Sequence, residues 1–394
     1  MSTVLSFFPK NQITKTNPLV AVTPEITHLI KHDAVVAVGV SGGKDSQACA
    51  IAVAQHLDRV GHKGPRLLIH ADLGRVEWKD SLPTCERLAE NLGWELMVVR
   101  RKAGDMMDRW LGRWSNNVGR YEQLECVKMI LPWSTPSMRF CTSELKVAVI
   151  TSALKKRFPN QPIINAAGIR REESANRRKM PIASIQPKLE RKGLAGMNWN
   201  PIIEWRLEEV IGQIQSQQLD LHEGYTRFGM SRISCAFCIM SSGEDMTASA
   251  ACQDNADIYR EMVDLEIVST YAFQGSRWLA DVAPGLLSEE KRGAVQEAKE
   301  KAAIRQQLEA DIPRSILYVK GWPTAIPDDA QARKLARIRQ EISDLLGLNA
   351  AYLTRESVQA RYHELMQRNI EKSAGKGKPY IAHHPSGEQL QFAW

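Results

Sequence analysis

Ser41-Gly-Gly-Lys-Asp-Ser46 gathers in one short stretch the residue types that an anion-binding turn requires. Glycines let the backbone turn tightly and bring N–H groups close to a ligand. A helix that starts at such a turn adds its positive end and its unsatisfied N–H groups at the same spot. Ser41 and Ser46 contribute hydroxyl donors, and Lys44 a charge that can follow charge developing on phosphate oxygens. Two better-known nucleotide loops do not match. The Walker A pattern needs a Gly five before its last Gly and a Ser or Thr after the Lys. Val38 and Asp45 stand at those places, and G-x-G-x-x-G is absent.

The elements that must position this turn are readable around it. Ala34–Val40 is a continuous apolar run, the signature of a parallel strand covered on both faces. Gln47–Leu57 reads as a buried helix. Arg66–His70 is a second strand, ending at Ala71-Asp72-Leu73-Gly74; Glu77–Leu92 is an amphipathic helix and Trp94–Val99 a third strand. Strand and helix alternate, so we expect an α/β fold with a doubly wound, mostly parallel sheet. Ala103–Arg139 is expected to form helices and a loop over the site. Cys141–Lys156 reads as helix, and Pro162–Ala167 as a strand running into Gly168-Ile-Arg-Arg-Glu-Glu-Ser-Ala-Asn-Arg177. Met180–Asn200 reads as strand and loop, and Leu207–Gln217 as helix. From about Leu287 long charged helices dominate: Ser288–Ala310, Asp328–Leu346 and Arg355–Lys372. The expected organisation is a lead-in over 1–33 with a helix near Pro24–His32, a nucleotide domain over 34–240 and a helical region over 241–394. The tail after Lys372 is expected to be loosely ordered.

Composition sets the outer limits. The chain has 394 residues, a formal charge of +7, 43% apolar and 25% charged residues. These values exclude a collagen, a mucin, a disulfide miniprotein and a mostly disordered chain. No apolar run of about 18 residues exists, so no membrane span is expected. The start lacks a secretory pattern, and the seven cysteines suit a reducing cytoplasm better than a disulfide framework. The basic balance permits an anionic partner, nucleic acid included, without demanding one. Arg333-Lys-x-x-Arg337 and Arg339 are expected on solvated helix faces.

The loop resembles that of the PP-loop ATP pyrophosphatases, the adenine nucleotide α-hydrolase-like proteins. Further segments resemble one branch, the phosphoadenosine phosphosulfate (PAPS) reductase-like proteins. They are His70-Ala-Asp-Leu-Gly74, Gly168-x-Arg-x-x-Glu-Ser-x-x-Arg177, Pro201-Ile-Ile-Glu-Trp205, Tyr225-x-x-x-Gly229 and Arg232-x-x-Cys235-x-x-Cys238, in the branch's order. The resemblance covers about Val35 to Cys238. It implies ATP and Mg²⁺ as ligands and cleavage between the α and β phosphates. Residues 41–46, Asp72, Gly74, Gly168, Arg170, Glu173 and Arg177 would form the nucleotide site. Lys44, Asp45 and Arg170 would act in catalysis, Arg170 as a phosphate clamp. Glu173 would pair with Arg177 or hold a magnesium-bound water.

Cys235-x-x-Cys238 has metal-ligand spacing. By resemblance Cys141 joins it, while Phe140 stands where iron–sulfur reductases carry an adjacent cysteine, so a fourth ligand comes from Cys252 or Cys126. A thiolate-only set suits a [4Fe–4S] cluster, which the resemblance favours, or zinc. Cys49 and Cys85 fall in helical patterns and read as core. No cysteine follows Cys252, whereas the reductases attack the substrate sulfur with a C-terminal one, so sulfonucleotide reduction is the disfavoured alternative. The outline is similar to DndC-like proteins of DNA phosphorothioation, and to CRISPR- and phage-associated relatives. That implies a cysteine desulfurase or nucleic-acid-processing partner.

Overall fold

The computed structural model describes residues 19–374. Part of the lead-in, and the tail from 375 on, lie outside the described residues. The contacts gather these residues into two units: 19–107 with 138–259, and 108–137 with 260–374. The break falls after Tyr259 rather than at 240, and the second unit takes residues 108–137 from within the stretch expected to form the nucleotide domain.

The first unit is built on a six-stranded sheet: β1 (Val35–Val40), β2 (Arg66–Asp72), β3 (Glu95–Arg100), β4 (Ile163–Ala167), β5 (Ala183–Ile185) and β6 (Gly196–Trp199). Their order is β3-β2-β1-β4-β6-β5, with only the β5–β6 pairing antiparallel. The fold is therefore the α/β, doubly wound, mostly parallel sheet read from the sequence. β1 shows why an unbroken apolar run folds this way. Side chains alternate across a strand. Val36, Val38 and Val40 join one core. That core includes Ile26 and Ile30 of helix α1 (Pro24–Lys31) and Ala48–Val53 and Leu57 of helix α2 (Lys44–Arg59). Val35 and Ala37 join the other, with Leu154 from the helix Ala148–Arg157. Cys49 and Cys85 lie in the first core, as expected.

The register aligns the strand ends. Val40 pairs with His70, and Gly39 with Ala167. β1 is the strand at which the order reverses, and ligands in open α/β sheets bind at that point, beyond the strands' carboxyl ends.

Two helices depart from the sequence reading. The helix expected from Glu77 begins only at Ser81 and runs to Leu92. The residues before it are held by a turn in which Gly74, at φ 73°, donates its N–H to Asp72 Oδ1 at 2.7 Å. The helix expected over Cys141–Lys156 is broken by a π-turn at Ser143–Val147.

The second unit is helical, with Glu289–Ala310, Asp329–Leu346 and Arg355–Ala374 as its long helices. Arg333 and Arg337 are exposed as expected. Arg339 is not: it is fully buried and donates to the carbonyls of Tyr121, Glu122 and Ala351. No helix among the described residues is long and apolar enough to cross a membrane.

Candidate nucleotide site and cysteine segment

The turn at 41–46 joins β1 to α2. Gly42 sits at φ 74°, and a Cβ there would come within 3.0 Å of the Ser81 carbonyl and 3.1 Å of the His222 ring. Gly43 is the N-cap of α2 and has no side chain to cap the helix. Ser46 steadies the turn, donating to the Gly43 carbonyl at 2.8 Å and accepting from the Ser41 N–H at 3.3 Å. Gln47 closes it by donating to the Gly42 carbonyl.

Lys44 is only 7% exposed. Its ammonium donates to the Ser231 carbonyl at 3.0 Å, lies 3.7 Å from Asp45 and faces the Tyr225 ring at 4.8 Å. Burial lowers its pKa, and Asp45 works against that shift. Asp245 fixes the Ser231 end, accepting from its N–H and its hydroxyl.

Asp45 turns the other way, to Arg170 at the end of β4. Arg170 Nε donates to Asp45 Oδ1 at 2.6 Å, and its Nη1 pairs with Glu172. Burial opposes the Arg170 charge, but Asp45, Glu172 and Glu173 together outweigh it and raise the pKa. The guanidinium is thus engaged by carboxylates, and Arg170 holds Asp45 in place beside the turn. Glu173 accepts from the Arg170 N–H at 2.9 Å and pairs with Arg177, one of the two roles expected for it. Gly168 explains how β4 comes so near. A Cβ there would lie 2.3 Å from the Asp45 carbonyl oxygen and 2.9 Å from the Ser46 nitrogen.

Asp72 is the last residue of β2 and Gly74 follows just beyond it, on the same sheet edge. Asp72 also pairs with Arg100, and Gly74 packs against Asp105. Next to them is a contact the sequence reading did not single out. His70 is buried, with Nδ1 3.0 Å from the Val40 carbonyl and Nε2 3.1 Å from Glu77. Two acceptors need two N–H groups, which only the imidazolium supplies. Burial opposes that charge, but contacts with Cys85 and Glu77 outweigh it and push the pKa up to about 10. His222, beneath Gly42, is the reverse: fully buried, its Nδ1 accepts from the Gly224 N–H, and burial brings its pKa down to about 4.

The cysteine segment is fastened to this site. Ser231 holds Lys44, and the Ala236 N–H donates to the Val76 carbonyl at 2.7 Å. Burial pushes the Cys235 thiol far up; Cys238, Lys146, Glu77 and Cys141 also act on it. Cys238 accepts the Met240 N–H at 3.4 Å. Cys252 is elsewhere: it is 4% exposed, and its charged neighbours are Glu223 and Asp254. Cys126 belongs to the second unit, where burial pushes its thiol up to about 11. Among the described residues, no group of three or more His, Cys, Asp or Glu side chains is placed to hold a metal ion. Cys141 and Cys238 both act on Cys235, but as placed the three do not form a closed ligand set, and Cys252 is not among the groups that act on Cys235.

Several residues of this site escaped the sequence reading: Tyr225 beyond its place in a motif, Ser231, Asp245, His222 and Glu77. The signal available for Tyr225 was its spacing before Gly229; the others carried none.

No curated protein matches the chain. Among solved structures, it is similar to a PAPS reductase from Candida auris in its phosphate complex. The identity is 13% and the TM-score 0.32, over 55% of this chain and 98% of that one. It is also similar to the U34-tRNA thiolase NcsA from Methanococcus maripaludis with its [4Fe-4S] cluster. Here the identity is 14% and the TM-score 0.34, over 74% of this chain and 76% of that one. The model of the phosphoadenosine phosphosulfate reductase domain matches residues 35–241, from the first residue of β1 past the second cysteine of the Cys-x-x-Cys. That match spans more than half of the chain and takes in the turn, the β4 end and the cysteine segment together, so this protein belongs to the phosphoadenosine phosphosulfate reductase domain family.

Proposed function

We propose that the protein is an enzyme that cleaves ATP to AMP and pyrophosphate, transfers AMP to an oxygen of a second substrate, and so prepares that position for sulfur. The observation that carries this reading is the turn at 41–46. It joins a buried strand to a helix whose N-cap is a glycine, with the Lys44 ammonium fixed beside it.

In this reading the N–H groups of the turn and of α2 take the outer phosphates. The substrate oxygen attacks the α-phosphorus. The bond from that phosphorus to the bridging oxygen breaks, and pyrophosphate leaves with the electron pair. Such transition states are stabilised chiefly by positioning and charge. Lys44 supplies the charge next to the leaving group, and Asp45, held by Arg170, fixes where Lys44 stands. Magnesium arrives with the nucleotide. The nearby carboxylates Asp45 and Glu173 are both paired with arginines, so the phosphates would hold most of the ion. The adenylated position then accepts the terminal sulfur of a persulfide, AMP leaves, and a thiol reductant supplies the two electrons that split the resulting disulfide. A cysteine desulfurase as sulfur source and a nucleic-acid backbone as acceptor suit the resemblance to phosphorothioation proteins. No step is assigned to a metal cluster.

The test is product analysis with ATP and Mg²⁺. AMP and pyrophosphate are expected, and Lys44→Met should lower their formation at least about 100-fold while the protein stays folded. ADP with orthophosphate would overturn the reading. Sulfonucleotide reduction is the second reading, favoured by the family match itself. It predicts sulfite from phosphoadenosine phosphosulfate and thioredoxin, without pyrophosphate release from ATP.

A further inference from the structure

Tyr225 lies in the helical turn Glu223–Thr226 and is 3% exposed. Its hydroxyl oxygen accepts two main-chain N–H groups, from Lys44 at 3.3 Å and from Ile233 at 3.2 Å. Neither contact uses the hydroxyl's own proton, and no acceptor among the described residues takes it. A phenol hydroxyl donates as well as accepts, and a buried donor without an acceptor is costly. The oxygen stands at the phosphate turn: a Cβ on Gly43, the N-cap of α2, would lie 3.5 Å from it. Lys44 is the first residue of that helix, so its N–H is one of those a phosphate approaches. Burial pushes the phenol pKa well up, which keeps the proton on the oxygen at neutral pH.

We propose that Tyr225 is a further binding residue of this site, its hydroxyl donating a hydrogen bond to a phosphate oxygen of the polyphosphate held at 41–46. The assignment rests on the reading of that turn as a polyphosphate site. The buried donor then finds its acceptor, beside the N–H groups of Lys44 and Ile233 and the Lys44 ammonium. One oxygen would then join three things: the ligand, the first N–H of α2, and the N–H of Ile233, two residues before Cys235. Hydrogen bonds in such a chain polarise one another. Ligand at the turn and the backbone of the cysteine segment are thereby linked through a single atom.

The experiment is calorimetric titration of inorganic pyrophosphate into three full-length proteins: wild type, Tyr225→Phe, and a protein carrying 3-fluorotyrosine at position 225. Tyr225→Phe keeps the ring under the Lys44 ammonium and removes the donor, and is expected to weaken binding about tenfold. Fluorination keeps the hydroxyl in place, makes it a better donor and makes it a poorer acceptor. If Tyr225 donates to the ligand, the fluorinated protein binds pyrophosphate about two- to threefold more tightly. If the oxygen only props up Lys44 and Ile233, fluorination weakens binding instead, and the proposal falls. It falls equally if pyrophosphate binds wild type and both altered proteins alike. Failure of folded wild type to bind pyrophosphate would remove the reading of the turn itself, and this assignment with it. The fluorinated protein decides the matter even if Tyr225→Phe does not fold.

Discussion

Replacing Gly168 with alanine adds a single methyl group where β4 meets the phosphate turn, and the structure says how much room it has. The new carbon would lie 2.3 Å from the Asp45 carbonyl oxygen, 2.6 Å from the Asp45 carbonyl carbon and 2.9 Å from the Ser46 nitrogen. Ordinary contact begins near about 3.5 Å, so the strand end or the turn must yield by about 1 Å. All three atoms are backbone, and Asp45 and Ser46 lie in the first turn of α2, itself buried in the core. No flexible side chain can absorb the shift. Overpacking of this kind costs about 1–3 kcal/mol. For a unit of this size each kcal/mol lowers the melting temperature by about 2–4 °C. The larger effect is expected on turnover, because a displacement of about 1 Å among reacting groups costs on the order of 100-fold. Pyrophosphate release from ATP, followed continuously, should therefore fall far more than stability. Gly212→Ala is the matched control. It lies in the helix Leu207–Ser216, and a Cβ there meets nothing within 4 Å. It should stabilise by about 0.5–1 kcal/mol and leave turnover alone. A Gly168→Ala protein with wild-type melting and wild-type pyrophosphate release would refute the close approach on which the site is built.

Asp45→Ala should destabilise the first unit by about 3 kcal/mol, seen in chemical denaturation, because it strips a buried arginine of one of its carboxylate partners. Asp45→Ala in an Arg170→Met background should cost much less. His70 gives a pH signature. Its folded pKa of about 10 lies above the ordinary value of about 6.5, so its contribution is complete below that lower value. It is lost as pH rises towards the upper one. Denaturation curves between those limits should show falling stability in wild type and a flatter profile in His70→Gln. Elemental analysis separates the cysteines: any iron or zinc that co-purifies should drop with Cys235→Ser and stay unchanged with Cys252→Ser.

The sheet was legible because burial on both faces leaves an unbroken apolar run, as in β1. The turn at 41–46, between a buried strand and a helix, was legible because its glycines and lysine are consecutive. What was hidden depended on partners far along the chain. The Tyr225 hydroxyl meets Lys44 181 residues away, and nothing local distinguishes it from a core tyrosine. Arg339 reads as one more charge on a helix, yet it is buried because carbonyls from Tyr121 and Glu122, over 200 positions earlier, receive it. Glu77 looked helical by composition, but the Asp72–Gly74 turn delays the helix to Ser81. The cysteine spacing predicted ligands; it held no information on where Cys252 would go.

The second unit closes only when two separated stretches of chain meet. Met129 donates its N–H to Glu309, the Tyr318 hydroxyl reaches the Leu124 carbonyl, and Arg361 reaches the Gln123 carbonyl. On the ribosome, residues 108–137 emerge well before the helices that complete them, while the sheet of the first unit is still acquiring β4 to β6. They must wait, with Tyr121 and Leu124 uncovered, through the synthesis of more than a hundred further residues. It follows that no single cut yields either half intact. Anyone wishing to express the sheet-bearing half alone would have to excise the early stretch and splice Met107 to Met138.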